Sequence, residues 1–197
     1  MKEMPSYMQS FGFSCGPAAL MMVMKDLRED LFLDRDLELD IWRDATLMES
    51  KATSSFGLAL AAKRRGFHVT VRTDSEKIGF TSRLKSHFPG INVEFMELLF
   101  DHTRNTALKE GVIWERKKVD LADVRREVDE ERFPIVLISS KMMREAVGIP
   151  HWVVVVGYDD RYFWINNPET ARKERYTKKR FEKYLGFTNY RCMVVVS

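Results

Sequence analysis

The spacing of apolar residues in the first third of the chain predicts helices. Within residues 34–48, the apolar residues Leu37, Ile41, Ala45 and Met48 recur along the chain. This spacing of three to four positions is the period of an amphipathic helix. Residues 18–27 are apolar almost all round, as expected of a helix buried at the centre of a domain. A third helix is predicted over residues 56–65, where Gly66 provides a C-terminal stop.

Beyond residue 66 short apolar runs become frequent, and they predict strands. Strands are predicted over residues 67–72, 134–139 and 190–196, and a hairpin over residues 153–157 and 162–165 that turns at Asp159-Asp160. Helices are predicted over residues 120–131 and, behind Thr177 as N-cap, over residues 178–185. Residues 74–110 fit a helix over 75–88 that ends at Pro89-Gly90, a strand over 91–95 and a helix over 96–109 stopped by Gly111. The sequence thus predicts a helical first part followed by a sheet.

The composition is that of a folded globular protein and gives no indication of a membrane span or of a nucleic acid partner. The 197 residues are 45% hydrophobic and 31% charged, which is ordinary for a folded globular domain. A net charge of +3 is too small to indicate a polyanionic partner, and the basic stretch at residues 172–180 is interpreted as a solvated face. No secretory signal and no apolar run long enough for a membrane span are present, so we expect a cytoplasmic protein with no membrane span and no nucleic acid partner.

The two cysteines, Cys15 and Cys192, are too few for a disulfide scaffold. The residues that flank them predict different roles for the two. Cys192 lies in a predicted strand and is expected to be a small buried apolar residue. Cys15 is followed by Gly16 and Pro17, and Pro favours the first turn of a helix. The N–H groups and the dipole at a helix N-terminus lower the pKa of a thiol from about 8.5. Cys15 is therefore a candidate nucleophile.

A proton acceptor for this thiol is predicted at His151, which opens the first strand of the hairpin. The far end of the second strand returns to His151 and carries Asn166 and Asn167, either of which could hold the imidazole. Strict alternation about the Asp159-Asp160 turn favours Asn166. Gln9, six residues before Cys15, could form an oxyanion hole with the Cys15 N–H.

Together these motifs resemble those of the papain-like cysteine peptidases, and most of all the bacteriocin-processing (double-glycine leader) peptidase family in its stand-alone branch. The motifs are Gln-x5-Cys-Gly-Pro-Ala, a His that opens a Val-rich strand, and Asn-Pro sixteen residues after that His. Residues 42–46 and 57–67 also resemble segments of that branch, so the match runs from about residue 7 to residue 168. The chain departs from the family in having Asn167 where leader peptidases have Asp, and Ser50-Lys-Ala-Thr-Ser-Ser55 where the branch has a Gly-rich loop.

The resemblance implies an α+β papain-like fold in a single domain, 1–197, with the active site in a cleft. The helical lobe, about 1–66, would carry Cys15, and the mixed segment and sheet lobe, about 67–197, would carry His151 and Asn167. The family match thus favours Asn167 over Asn166 as the residue that orients His151. The resemblance implies that a peptide or protein substrate is hydrolysed at a peptide bond by Cys15, His151, Asn167 and Gln9. A leader or modified peptide is the substrate expected for the family.

Three other functions stay open at the level of the sequence. The same residues would serve acyl or peptidyl transfer, or amide hydrolysis of a small molecule. A non-catalytic peptide-binding module is the alternative from another class. No metal or organic cofactor is expected, because His68, His87 and His102 lack metal-ligand spacing and no phosphate-binding Gly loop is present. The oligomeric state is left open.

Overall fold

Helices and strands are described for residues 4–87, 90–143 and 146–197 of a computed structural model. The α-helices are α1 (Cys15–Leu27), α2 (Arg35–Ala45), α3 (Ser55–Arg64), α4 (Thr81–His87), α5 (Val93–Lys109), α6 (Leu121–Asp129) and α7 (Lys178–Tyr184). The strands are β1 (Val69–Arg72), β2 (Ile113–Glu115), β3 (Ile135–Ser139), β4 (Pro150–Tyr158), β5 (Tyr162–Asn167), β6 (Arg172–Thr177) and β7 (Met193–Val196). A short 3-10 helix, Ser140–Met143, follows β3.

The strands described above form one sheet in the order β2-β1-β7-β3-β4-β5-β6. The β1–β2 pair is parallel, and the other pairs are antiparallel. Hairpin connections join β4 to β5 and β5 to β6, as is common in antiparallel sheets. The predicted α+β class with a mostly antiparallel sheet is confirmed.

Two apolar clusters cover the two faces of the sheet. Helix α1 lies in the larger one, and residues from Leu20 to Met24 are at most 1% exposed. Alternate residues of β4 divide between the clusters: Trp152 and Val154 join α1, whereas Val153 packs in the smaller cluster with Phe181 of α7. This division follows from the alternation of side chains along a strand. A buried α1 is therefore fixed against the strand that carries His151.

Residues 74–110 differ from their predicted assignment. The strand predicted over 91–95 is wrong, because α5 begins at Val93 and the Asn92 side chain caps it by accepting the Phe95 N–H at 3.0 Å. The helix predicted over 75–88 begins only at Thr81, and its predicted end at Phe88 and Pro89 lies outside the described residues. The helix predicted over 96–109 is confirmed, with three more residues at its start.

The basic stretch at residues 172–180 includes the edge strand of the sheet. It contains strand β6, which the sequence did not predict, and then α7, where the predicted N-cap Thr177 accepts the Arg180 N–H at 3.3 Å. Charged side chains on an edge strand oppose pairing with another chain. No helix in the described ranges is both long enough and apolar enough to cross a membrane.

Candidate active site

The chain leading to Cys15 is held by one buried side chain, Glu38 of α2. Its carboxyl oxygens accept hydrogen bonds from the Tyr7 hydroxyl at 2.9 Å and the Ser10 N–H at 2.9 Å. A third bond comes from the Ser14 hydroxyl at 2.5 Å, and Glu38 is fully buried. Because these donors span the approach segment, Glu38 fixes the position at which α1 begins.

Cys15 is the first residue of α1, where backbone N–H groups have no intrahelical acceptor. Cys15 is 8% exposed, so the thiol lies at the edge of the core. Gly16 is required by packing: a Cβ there would lie 2.2 Å from Thr53 Oγ1 and 3.1 Å from the Trp152 ring. Because Gly16 has no side chain, the loop before α3 and strand β4 can lie close to the Cys15 sulfur.

A β-bulge decides which asparagine meets His151. Near the turn, Tyr158 pairs with Phe163, but past an irregularity between Val155 and Gly157 the register becomes Val155 with Ile165. Without that shift by one residue, the alternation would put Asn166 on the His151 face. The shift instead places Asn167 there, and its Oδ1 lies 3.0 Å from His151 Nε2. The Asn166 amide donates to the Pro5 carbonyl at 3.5 Å.

Neighbouring groups fix the orientation of the Asn167 amide. Its Nδ2 donates to Glu174 Oε1 at 3.0 Å, and its Oδ1 accepts the Glu169 N–H at 3.1 Å. Glu174 is itself held by the hydroxyls of Thr170 at 2.8 Å and Tyr176 at 2.5 Å. Since an amide oxygen can only accept, His151 Nε2 must carry a proton, which leaves Nδ1 for the interaction with Cys15.

The electrostatics of the Cys15–His151 pair favour charge separation. Burial alone would raise the pKa of the Cys15 thiol, but the charge of His151, its hydrogen bond, and the N–H groups of Trp152 and Gly16 lower that pKa. Burial alone would lower the pKa of His151, but the Cys15 thiolate and the bond to Asn167 raise it to about 9. These interactions therefore stabilise the pair as thiolate and imidazolium.

Gln9 links the two halves of the site. Its backbone N–H donates to the Pro168 carbonyl at 2.8 Å, directly after Asn167. Its side-chain Nε2 donates one hydrogen to the Phe11 carbonyl at 2.8 Å, while Oε1 is buried without a partner among the described residues. The second hydrogen on Nε2 is the one that an oxyanion could accept.

An apolar cavity of about 200 Å³ opens beside Cys15 and His151. Part of its wall is the loop before α3, with Ser50, Ala52 and Thr53. This is the loop in which the sequence departs from the Gly-rich pattern. The cavity continues inward between helices and sheet, and it is the natural place for part of a ligand.

Several residues of the site escaped the sequence analysis. Glu38 and Glu174 give no local signal, because each acts through contacts between separate elements. The contact of the Trp152 N–H with the Cys15 thiol could have been suspected only because Trp152 follows His151 in the sequence. Thr53 could have been suspected only from the unusual composition of its loop.

Comparisons with known proteins identify the family and the fold. Residues 4–184 match the family described as Peptidase_C39 like family. Among curated proteins no relative matches the chain. Solved structures with the same fold include a double glycine motif protease from an AMS/PCAT transporter, in complex with the leader peptide. It is 15% identical with a TM-score of 0.51, over 99% of this chain and 93% of that one.

Two further structures extend the likeness. The peptidase domain of Streptococcus ComA, a bi-functional ABC transporter involved in a quorum sensing pathway, is 15% identical with a TM-score of 0.51, over 98% of this chain and 96% of its own. A protein described as a C39-like peptidase from Bacillus anthracis is 10% identical with a TM-score of 0.56, over 100% and 98% of the two chains. At these identities the likeness shows the fold, which is the papain-like one implied by the sequence.

Proposed function

This chain belongs to the Peptidase_C39 like family, and on that premise we propose that it is a cysteine peptidase that hydrolyses peptide bonds. Cys15 is the nucleophile, His151 the general acid and base, and Asn167 the residue that orients His151. The observation that carries the proposal is the hydrogen bond of 3.0 Å between His151 Nε2 and Asn167 Oδ1, with the other ring nitrogen left for Cys15.

In the first half of the reaction the Cys15 thiolate attacks the carbonyl carbon of the scissile amide. A C–S bond forms, and the carbonyl oxygen becomes an oxyanion that accepts hydrogen bonds from the Cys15 N–H and the Gln9 amide. When this intermediate collapses, the C–N bond breaks and His151 gives its Nδ1 proton to the leaving amine. The product is a thioester between Cys15 and the acyl part of the peptide.

In the second half neutral His151 takes a proton from a water molecule, whose oxygen attacks the thioester carbonyl. The C–S bond then breaks, the acyl part leaves as a carboxylic acid, and the thiolate–imidazolium pair is restored. Throughout both halves, Glu174 keeps the Asn167 amide in the orientation that presents Oδ1 to His151 Nε2. The imidazole therefore turns neither toward solvent nor away from the sulfur.

Alkylation of Cys15 with iodoacetamide across pH 4–10 tests the proposed pair. The Cys192→Ser background leaves one thiol to report. We expect an apparent pKa for Cys15 below the usual value of about 8.5, and a higher one in His151→Ala. An ordinary thiol pKa that His151→Ala leaves unmoved would contradict the catalytic proposal and favour a peptide-binding module.

A peptide library analysed by mass spectrometry tests the reaction itself, with Cys15→Ala as the control. Leader or modified peptides are the first substrates to include, because one structural neighbour was solved with its leader peptide. We expect each cleaved peptide to give two fragments, one of them with oxygen from ¹⁸O-labelled water in its new carboxyl group. A product joined to an added amine instead of water would indicate acyl transfer.

A further inference from the structure

The cavity beside Cys15 opens at the protein surface and has an apolar floor. Gly12 and Ile149 line it near the surface, and Ile149 is 46% exposed. Deeper in the protein its walls are Phe80, Phe100 and Leu137, which are 6%, 1% and 2% exposed. The cavity therefore runs from the protein surface past the thiol into the apolar core.

Its size and lining suit a whole hydrocarbon group. An apolar cavity of about 150 Å³ lined by Leu, Ile and Phe stays dry and binds benzene. The cavity here has about 200 Å³ and a comparable floor. Water gains few hydrogen bonds in such a space, whereas a phenyl or branched alkyl group removes its own apolar surface from water by entering it.

We propose that this cavity receives a bulky apolar or aromatic side chain of the substrate, carried by the residue that provides the attacked carbonyl. The inference rests on the proposed function and adds the substrate class. Cys15 itself forms part of the wall, and the acyl part stays bound to Cys15 as the thioester. A side chain on the acyl part therefore stays in the cavity through both halves of the reaction, whereas one on the leaving amine is lost after the first half.

A glycine at this position would leave the cavity unfilled. This distinguishes the chain from a protease for a double glycine motif such as its structural neighbour. Selectivity from a filled apolar pocket reaches roughly 10- to 200-fold for a single methylene group. We therefore expect at least a tenfold preference for Phe or Leu over Gly.

The test compares N-acetyl chloromethyl ketones of Gly, Leu and Phe in the Cys192→Ser protein. Each probe presents its side chain on the acyl part and alkylates Cys15, with loss of chloride, so intact mass gives the rate without a known substrate. Iodoacetamide, which has no side chain, reports the nucleophilicity of Cys15 separately. We expect the Phe and Leu probes to react at least tenfold faster than the Gly probe.

Ala52→Phe and Ala122→Phe form a matched pair of variants. Ala52 lines the cavity from its loop, so a phenyl group there occupies the space and should reduce the ratio of Phe-probe to Gly-probe rates to near one. Ala122 is exposed on α6, outside the cavity, and the same substitution there should leave that ratio unchanged.

The outcomes separate the inference from the proposed function. A normal reaction with iodoacetamide at a lowered pKa, together with equal rates for the three probes or the fastest rate for Gly, would overturn the inference and leave the peptidase proposal intact. An ordinary thiol pKa would overturn both. A preference for Phe that Ala52→Phe does not reduce would also overturn the inference, because it would locate the selectivity elsewhere.

Discussion

The two cysteines of this protein are both buried, and yet the pKa values of their thiols are shifted in opposite directions. Cys15 is 8% exposed and Cys192 is fully buried. Burial raises the pKa of Cys192 well above the usual value for a thiol. It would do the same for Cys15, but His151 and two backbone N–H groups reverse the shift and lower the pKa. The partner of a buried thiol, more than its burial, therefore decides whether it can act as a nucleophile.

The partners of Cys15 are held from two sides. On the helical side, Glu38 bonds to the segment that leads into α1. On the sheet side, Glu174 bonds to Asn167, which in turn bonds to His151. Cys192 is fully buried, and its hydrogen bond with the Tyr190 side chain offsets only part of the effect of burial on its pKa. The comparison predicts that changes near Cys15 alter chemistry and that changes at Cys192 alter only stability.

The largest expected effect comes from making the same substitution at both cysteines. Cys15→Ser should reduce kcat/KM on a peptide cleaved in the library by at least about 10³-fold, because a hydroxyl is a far weaker nucleophile than a thiolate. Cys192→Ser should leave kcat/KM within about twofold and reduce the free energy of unfolding, since it buries a hydroxyl in an apolar site. A loss of activity in Cys192→Ser at full folding, seen by circular dichroism, would contradict the comparison.

The second effect is on the pH dependence of kcat/KM. The active form needs a Cys15 thiolate and a protonated His151, so activity should rise with ionisation of Cys15 and fall above pH of about 9 as His151 loses its proton. Because the bond to Asn167 raises the pKa of His151, Asn167→Ala should move the alkaline limb to lower pH. The profile of Asn166→Ala should match that of the unaltered protein, and an equal shift in both variants would contradict the assignment.

Some residues of the candidate site could be predicted from the sequence, and others could not. Cys15 at a helix start and His151 at a strand start could be predicted, because Gly-Pro after the one and a Val run after the other are local signals. Asn167 could not be selected from alternation, because the register changes at a bulge between Val155 and Gly157. A bulge adds one residue to one strand and leaves no sequence signal as clear as a turn does.

The supporting groups and two strands were missed for a related reason. Glu38 and Glu174 act across elements that are distant in the sequence, and only the packed fold brings them to their partners. Strand β2 has three residues, and β6 consists mainly of charged residues, so neither has the apolar alternation of a strand. The cavity likewise depends on the packing of helices against the sheet.

A third and smaller effect is expected at Glu174 on the sheet side. Glu174→Leu removes the acceptor of the Asn167 amide, and a hydrogen bond to a charged group is worth about 1.5–3 kcal/mol, so kcat/KM should fall roughly 10- to 100-fold. Glu174→Gln keeps an acceptor and should lose less. Glu182→Leu, at an exposed position of α7, is the matched control and should retain activity.

The pH profile distinguishes a positioning role for Glu174 from a merely structural one. If Glu174 acts by orienting Asn167, Glu174→Leu should shift the alkaline limb to lower pH, in the same direction as Asn167→Ala. A uniform loss of activity at every pH, with unchanged limbs, would show that Glu174 stabilises the fold without positioning the site.

The smallest effect on chemistry is expected at Glu38 on the helical side. Glu38→Gln keeps one carbonyl oxygen for Ser10 and Ser14 but places an amide NH2 where the Tyr7 hydroxyl donates. We expect the free energy of unfolding in urea to fall by about 1–3 kcal/mol and the alkylation rate of Cys15 to fall less than tenfold. Glu29→Gln, at an exposed position, should change neither quantity. A more stable Glu38→Gln protein would contradict this expectation. It would mean that the desolvation penalty of the Glu38 carboxyl group exceeds the free energy of its hydrogen bonds, as happens with some buried charges. The packing of α1 would then be the main interaction that holds Cys15 on the helical side.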